Sequence, residues 1–205
     1  MKIGPKYKIC KRLGSTVFDK CQTAKFTLAK DKAQKKGRIG KRPRQMSDYG
    51  RQLIEKQKVR YTYGIAEKQM SKYVKEAVAK KDVKPAVVLM ENLESRLDNV
   101  VYRLGLAKSR QMSRQMVSHG HITVGGRKVT IPSYRVSKGM KIGVREGSRG
   151  SGLFSNTGED LKDAVTPSWI SFDKKTLEAD IKGKPAGDAT EHMFDIGSVL
   201  EYYSR

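Results

Sequence analysis

The chain has 205 residues, and 43 Lys and Arg against 21 Asp and Glu give it a formal net charge of +22. So large a positive charge predicts a polyanionic partner, with nucleic acid as the first candidate. The longest apolar run, Ala86 to Met90, is too short to cross a membrane, and no long basic amphipathic helix indicates binding to a membrane surface. We therefore expect a soluble intracellular protein without a membrane partner.

Positive charge is concentrated in two stretches. Residues 1–60 hold 19 Lys and Arg against 4 Asp and Glu, and residues 91–149 hold 12 against 4. Residues 150–205 hold 6 against 10. We therefore expect two separate regions to contact nucleic acid, and we do not expect the C-terminal part to do so primarily.

The first 46 residues are basic, show little periodicity and contain few aromatic side chains. Such a segment is predicted to be a tail that becomes ordered mainly on its partner. Its two cysteines, Cys10 and Cys21, have no histidine nearby to complete a four-ligand zinc site. A disulfide is not expected in a reducing compartment, so we expect buried or idle thiols and no metal.

Two helices are predicted next. Ser47 and Asp48 can cap a helix that runs to about Arg60. Apolar residues at helical spacing predict a second helix over about residues 66–80, and that spacing favours a role in the core over base stacking for its aromatic side chain. Pro85 is predicted to close this helix and to start a linker.

A helix pair is predicted to follow. Apolar residues at helical spacing predict the first helix over Leu93 to Leu104. Ser109 is predicted to cap the second helix, and Gly120 to end it. Polar side chains three and four residues apart are expected to gather on one exposed edge. That edge comprises Arg96, Asn99, Arg103, Arg110, Arg114 and His119, and Ser109, Gln115 and Ser118 complete the predicted RNA-binding residues of the pair.

A small sheet is predicted after the helix pair. Gly125-Gly126 between alternating runs indicates a two-residue hairpin turn, because both central residues of such a turn need a positive φ. Strands are predicted at 122–124, at 127–131 and around 142–144. A further strand is predicted at 167–173, where the only Trp is expected to cover the core.

A family resemblance lies in these same residues. The run from Arg96 to Gly105, followed by Ser109-Arg110 and by Arg114 to Gly126, resembles the RNA-binding domain of small-subunit ribosomal protein S4 of bacterial type. The passage Lys41 to Arg60 is similar to the same family. Pseudouridine synthases and tyrosyl-tRNA synthetases share the helix-pair plan, so the domain alone implies only the binding of structured RNA.

The resemblance and the predicted elements together imply an α+β chain. It would have a helical N-terminal region with a basic extension, and an inserted RNA-binding domain of S4 type, formed by a helix pair on a small sheet. The predicted parts are a basic N-terminal extension at 1–46, a helical domain at 47–90 closed by the C-terminal stretch 191–205, the RNA-binding domain at 91–149, and a linker with the remaining sheet at 150–190.

The resemblance also implies a function. It implies a structural constituent of the small ribosomal subunit that binds the 5′ domain of its rRNA, initiates assembly, contributes to translational accuracy and borders neighbouring ribosomal proteins including S5. Lys41, Arg42 and Arg44 are expected to line the path by which mRNA enters. The chain would lie on the small subunit of a cytoplasmic ribosome, although the residues do not distinguish a bacterial source from an organellar one.

Zinc is a separate question within that family. Some members bind zinc through four cysteines in the region of Cys10 and Cys21, and Tyr7 and Phe26 stand where the other two thiolates would be expected. The resemblance therefore implies no zinc site here.

Two other functions use a similar domain. An RNA-modifying enzyme needs a catalytic domain, and residues 150–205 are too few to build a pocket with a nucleophile and a base. We therefore expect no enzyme, no catalytic residue and no cofactor. A stand-alone RNA-binding translational regulator or chaperone remains an alternative, because it differs from a ribosomal constituent only in acting away from the ribosome.

Overall fold

The computed structural model describes residues 3–24, 26, 46–154, 166–174, 176–185 and 194–205. The chain divides into two compact units: unit 1 comprises Met1–Ala79 with Asp188–Arg205, and unit 2 comprises Lys80–Gly187. The predicted α+β class is confirmed. Within the described ranges, no helix is long and apolar enough to cross a membrane.

The helices and strands of the described residues are, in chain order, α1 (Lys6–Leu13), a 3₁₀ turn (Asp19–Cys21), α2 (Asp48–Thr62), α3 (Glu67–Ala79), α4 (Pro85–Glu94), α5 (Leu97–Arg103), α6 (Arg110–Ser118), β1 (Ile122–Val124), β2 (Arg127–Lys128), β3 (Lys141–Val144), α7 (Glu146–Arg149), β4 (Ile170–Asp173), β5 (Glu178–Ile181) and α8 (Ile196–Tyr203).

The beginning of unit 1 differs from the predicted tail. Helix α1 and the 3₁₀ turn enclose a small apolar core formed by Cys10, Phe18 and Cys21. The rings of Tyr7 and Phe26 stack against each other with centroids 5.6 Å apart. The described part of the basic extension is therefore ordered within the chain, because its few apolar residues are spaced so that they meet and Tyr61 of α2 packs against them.

Both cysteines are buried free thiols. Burial, together with the neighbouring Cys10, raises the pKa of the Cys21 thiol to about 12. A structural zinc site needs four ligands, of which these two thiols could supply two. Among the described residues, no group of three or more His, Cys, Asp and Glu side chains is arranged to hold a metal ion.

Metal analysis of the purified chain is therefore expected to find no stoichiometric zinc. A chelator should also leave the helical content unchanged, because apolar and aromatic contacts, such as the stacking of Tyr7 on Phe26, hold this small core together. The measurement is elemental analysis together with far-ultraviolet circular dichroism before and after chelation. One zinc per chain would contradict this assignment of Cys10 and Cys21.

Three helices form the rest of the described part of unit 1. Ser47 caps α2 as predicted, since its Oγ accepts a hydrogen bond from the backbone N–H of Gly50 at 3.2 Å. Helix α8 packs against α2, where Gln52 Nε2 donates to Glu201 Oε2 at 2.9 Å. Val199 of α8 is fully buried. Residues from near both ends of the chain thus share one core.

Glu67 joins these helices through its carboxylate. Its Oε1 accepts hydrogen bonds from Tyr203 Oη at 2.6 Å and Lys56 Nζ at 2.9 Å. Its Oε2 accepts one from Arg60 Nη1 at 3.2 Å. Burial acts to raise the pKa of Glu67, but the bonds from Tyr203 and Lys56 and the charges of Lys56 and Arg60 outweigh it, and the pKa is lowered.

Unit 1 is therefore expected to lose stability in acid. Because the folded-state pKa of Glu67 lies below its unfolded value, its contribution is present above the usual carboxyl range and is lost as the pH falls through the folded pKa. Hydrogen exchange of the α3 and α8 amides should show that wild type is more stable than Glu67→Gln at about pH 6. This difference in the free energy of opening should shrink as the pH falls to about pH 3. Glu76→Gln, on the same helix, is the control. A difference independent of pH would contradict the prediction.

The first helices of unit 2 differ from the predicted ones. Pro85 does not start a linker, because it is the first residue of α4, where its missing N–H needs no partner and its fixed φ suits a helix. The predicted single helix from Leu93 to Leu104 is also wrong, since the chain breaks at Ser95 and Arg96 and α5 begins only at Leu97.

The break has a tertiary cause. Arg96 is extended, with φ −68° and ψ 136°, and it forms an antiparallel bridge with Arg135. The Ser95 carbonyl accepts a hydrogen bond from Val136 N at 2.8 Å, and Leu97 N donates to the Tyr134 carbonyl at 2.9 Å. A short strand-like pairing thus replaces the helical bonds at this point.

Five antiparallel strands form one sheet in the order β2-β1-β3-β5-β4. The predicted hairpin turn is confirmed, since Gly125 and Gly126 have φ of 56° and 77°. Thr123 pairs with Lys128 across this hairpin. Strand β2 is only two residues long, shorter than the predicted 127–131.

The core of unit 2 lies between the helix pair and the sheet. Helix α5 contributes Leu97 and Val101, and α6 contributes Met116 and Val117. These side chains belong to one buried cluster with sheet residues such as Ile142. The cluster also includes Trp169, as predicted, and it fixes α5 and α6 relative to each other.

Candidate nucleic-acid interface

The second helix of the pair orients the basic side chains of its outer face. Ser109 Oγ accepts a hydrogen bond from Met112 N at 3.3 Å, so the predicted N-cap is confirmed. Met116 and Val117 are buried in the core. Since residues four apart lie on the same side of a helix, Arg110 and Arg114 both lie away from that core.

Asp98 is the centre of the first part of the site. Arg96 Nε donates to Asp98 Oδ1 at 2.9 Å, and Arg96 Nη2 donates to Asp98 Oδ2 at 2.6 Å. Arg114 Nη1 lies 3.7 Å from the same Oδ2, and its side chain is 39% exposed. Arg96 is only 1% exposed. The prediction that Arg96 lies on an exposed edge is therefore wrong, because its guanidinium is buried against a carboxylate.

Glu94 is the centre of the second part. Arg103 Nε and Nη2 donate to its two carboxylate oxygens at 3.0 Å and 3.1 Å. Asn99 Nδ2 also donates to Glu94 Oε2 at 2.8 Å. Asn99 is 2% exposed, so the predicted exposure of this residue is wrong as well. Burial is tolerated because its amide finds partners inside the protein.

Arg110 connects the two helices. Its Nε donates to Asn99 Oδ1 at 2.9 Å, and its guanidinium carbon lies 4.3 Å from the ring centroid of Tyr102. We name the set comprising Glu94, Arg96, Asp98, Asn99, Arg103, Arg110 and Arg114 the arginine cluster.

The arginine cluster carries an excess of positive charge. Among the described residues, its four guanidinium groups are arranged around two carboxylates. Both carboxylates, those of Glu94 and Asp98, are buried, whereas the side chains of Arg103 and Arg114 reach the surface. The two buried acids therefore order the arginines, and a set with four positive and two negative side chains can attract an anion such as a phosphate.

The remaining predicted residues of α6 lie at the surface. Gln115, Ser118 and His119 are exposed, and Ser118 Oγ donates to the Arg114 carbonyl at 2.8 Å. Lys128 of β2 lies over the end of this helix, since a Cβ on Gly120 would be 2.1 Å from Lys128 Cε. Lys41, Arg42 and Arg44 fall outside the described residues.

Sequence reasoning missed four contributors: Glu94, Asp98, Tyr102 and Lys128. Asp98 lies two residues from Arg96, but Glu94 and Arg103 are nine residues apart and belong to different helices. No helical spacing rule pairs such residues. A useful signal would have been the presence of two acids among the arginines, since isolated acids in a basic segment need a structural reason.

The fold and the charge together place the chain in the class of basic RNA-binding proteins. A family model described as "S4 domain" matches residues 95–142, which include the helix pair, β1 and β2. A second model, described as "Ribosomal protein S4/S9 N-terminal domain", matches residues 1–94.

Relatives cover nearly the whole chain. A small ribosomal subunit protein uS4 from Dehalococcoides mccartyi is 40% identical over 204 residues, which are 97% of this chain and 96% of that protein. The protein of the same description from Persephonella marina is 41% identical and covers 98% of each chain. That from Thermus thermophilus is 41% identical over 99% of this chain and 98% of its own.

The chain belongs to the uS4 family of small ribosomal subunit proteins. It is a structural, rRNA-binding ribosomal protein and not an enzyme.

Proposed function

We propose that the chain is a primary rRNA-binding protein of the 5′ domain of small-subunit rRNA. In this role it binds early, initiates assembly of that domain and contributes to translational accuracy. The observation that carries the proposal is the arginine cluster, in which four guanidinium groups surround two buried carboxylates. Membership of the uS4 family supports the choice of RNA.

Recognition would combine charge with shape. Lysine and arginine side chains neutralise backbone phosphates and release counterions, which gives affinity for any RNA. A set of donors held at fixed positions fits only an RNA fold that presents its phosphates and 2′-hydroxyls in the matching places. Surface residues suited to direct contact are Arg103, Arg110, Arg114, Gln115, Ser118 and His119, while Arg96, Asn99 and Ser109 hold them in place.

Further partners are part of the proposal. Lys41, Arg42 and Arg44 belong to the most basic stretch of the chain, residues 1–60, and would line the path of incoming mRNA. Neighbouring small-subunit proteins including S5 would contact the assembled protein, and the chain would act on cytoplasmic ribosomes.

The test is quantitative binding of the full chain to 5′-domain rRNA and to an unrelated structured RNA of equal length, across a salt series. We expect the preference for the rRNA to persist as salt rises, because shape recognition does not depend on counterion release. If both affinities fall together along the same slope, only non-specific charge attraction is present. A translational regulator or chaperone acting away from the ribosome would then be the better assignment.

A further inference from the structure

We infer that Tyr102 and Asn99 are positioning residues, which hold the Arg110 guanidinium in one orientation for a backbone phosphate of the RNA. The inference rests on the proposed rRNA binding, and it goes further by assigning orientation, and not only charge, to Arg110.

The first constraint is stacking. The guanidinium carbon of Arg110 lies 4.3 Å from the ring centroid of Tyr102. Tyr102 belongs to α5 and Arg110 to α6, so the contact joins the two helices. A guanidinium is planar and delocalised, and it can lie on an aromatic face while its N–H groups point outward in its own plane. The ring face therefore restricts the orientations that the arginine fork can adopt.

The second constraint is a hydrogen bond that fixes rotation within this plane. Arg110 Nε donates to Asn99 Oδ1 at 2.9 Å. One contact through the ring face and one at Nε together define both the tilt and the direction of the guanidinium. The terminal nitrogens Nη1 and Nη2 then form the end of the fork, which is the part that binds a phosphate through two parallel N–H bonds.

Glu94 determines which end of the Asn99 amide meets Arg110. An ionised carboxylate and a backbone carbonyl can only accept hydrogen bonds. Asn99 Nδ2 donates to Glu94 Oε2 at 2.8 Å and to the Glu94 carbonyl at 3.2 Å. The amide oxygen must therefore lie on the other side, where Arg110 Nε meets it. Arg103 in turn fixes Glu94 by donating to both of its oxygens.

Preorganisation of this kind raises affinity because the free protein has already lost the rotamer freedom that binding would remove. For one long side chain this effect is about two- to tenfold in the dissociation constant. It acts on the specific complex, which needs a phosphate at one position. It has little effect on non-specific binding, which needs only charge.

The experiment is a double-mutant cycle on the full chain, with 5′-domain rRNA and the unrelated RNA as ligands. Tyr102→Leu removes the ring, and it should weaken rRNA binding by about two- to tenfold while the affinity for unrelated RNA stays constant. In an Arg110→Ala background the same change should have no further effect. Tyr102→Phe keeps the ring and should bind as wild type does.

A second variant does not depend on how well Tyr102→Leu folds. Arg110→Lys keeps the charge but has neither the planar fork nor the Nε bond, so we expect it to lose as much preference for the rRNA as Arg110→Ala does. Circular dichroism and thermal unfolding of each variant check the fold.

Different results would overturn different claims. Wild-type binding by Arg110→Lys, or equal losses from Tyr102→Leu with and without Arg110, would overturn the positioning role alone. Wild-type binding by Arg110→Ala would overturn the positioning role, and also the direct contact proposed for Arg110.

Discussion

Replacing Arg110 and Arg114 together by Ala is expected to weaken binding to 5′-domain rRNA by several-fold or more, without unfolding unit 2. Both side chains lie on the outer face of α6, where the proposed function has them donate charge-assisted hydrogen bonds to phosphates. Neither contributes apolar surface to the buried core formed by residues such as Met116. The measurement is the dissociation constant at several salt concentrations, with circular dichroism to confirm native structure.

The matched control removes the same charge elsewhere in unit 2. Lys174 and Lys182 are exposed cations that flank strands β4 and β5, in the part of the sequence where acids outnumber bases. The Lys174→Ala, Lys182→Ala double variant should retain most of its preference for the rRNA. Equal losses in the two double variants would show that only net charge matters. Unchanged affinity of the Arg110→Ala, Arg114→Ala variant, with a native circular dichroism spectrum, would contradict the proposed contact of this helix face with RNA.

Asp98→Ala is expected to destabilise unit 2 by about 3–5 kcal/mol, the usual range for removing one partner of a buried ion pair. Its two carboxylate oxygens accept bonds from Arg96, whose guanidinium is 1% exposed, at 2.9 Å and 2.6 Å. Without that carboxylate, the protein must hold a buried positive charge with poorer compensation. Urea unfolding followed by Trp169 fluorescence would measure the effect, since Trp169 belongs to the core of this unit.

Asp180→Ala is the control for that experiment. Asp180 lies on β5 in the same unit and is exposed, so its loss should change stability by no more than about 0.5 kcal/mol. If Asp98→Ala were equally mild, the Arg96 guanidinium would have to be satisfied by other partners, and the central role assigned to Asp98 would be wrong.

Local chemistry could be predicted from the sequence wherever one or two residues determine it. Ser47 and Ser109 cap their helices because a side-chain oxygen is needed at the first turn. Gly125 and Gly126 form the hairpin turn because both have positive φ. The set of basic side chains around the helix pair was also recognisable, because helical spacing brings residues four apart to one side.

The features that could not be predicted depend on contacts between distant residues. Helical periodicity continues through Ser95 and Arg96, but the chain there pairs with residues 134–136 and leaves the helix. Periodicity measures only which face of one helix is apolar. Arg96 and Asn99 appeared suited to an exposed face for the same reason, since their acceptors become apparent only when the helices have packed.

The N-terminal segment also differs from its prediction, which rested on composition. Composition favoured a tail, because basic residues outnumber apolar ones across residues 1–46. Yet Cys10, Phe18 and Cys21 meet in a small core, against which Tyr61 of α2 also packs. An average over a long stretch does not detect a few apolar side chains placed at the correct separation.

Unit 1 is discontinuous in the sequence, and this has a consequence for the order of events during synthesis. Its helix α8 supplies the buried Val199, and Glu201 bonds to Gln52 across a separation of 149 residues. Residues 80–187, which form unit 2, are synthesised before α8. Unit 1, whose first residues are made earliest, therefore cannot be completed until all of unit 2 has been synthesised.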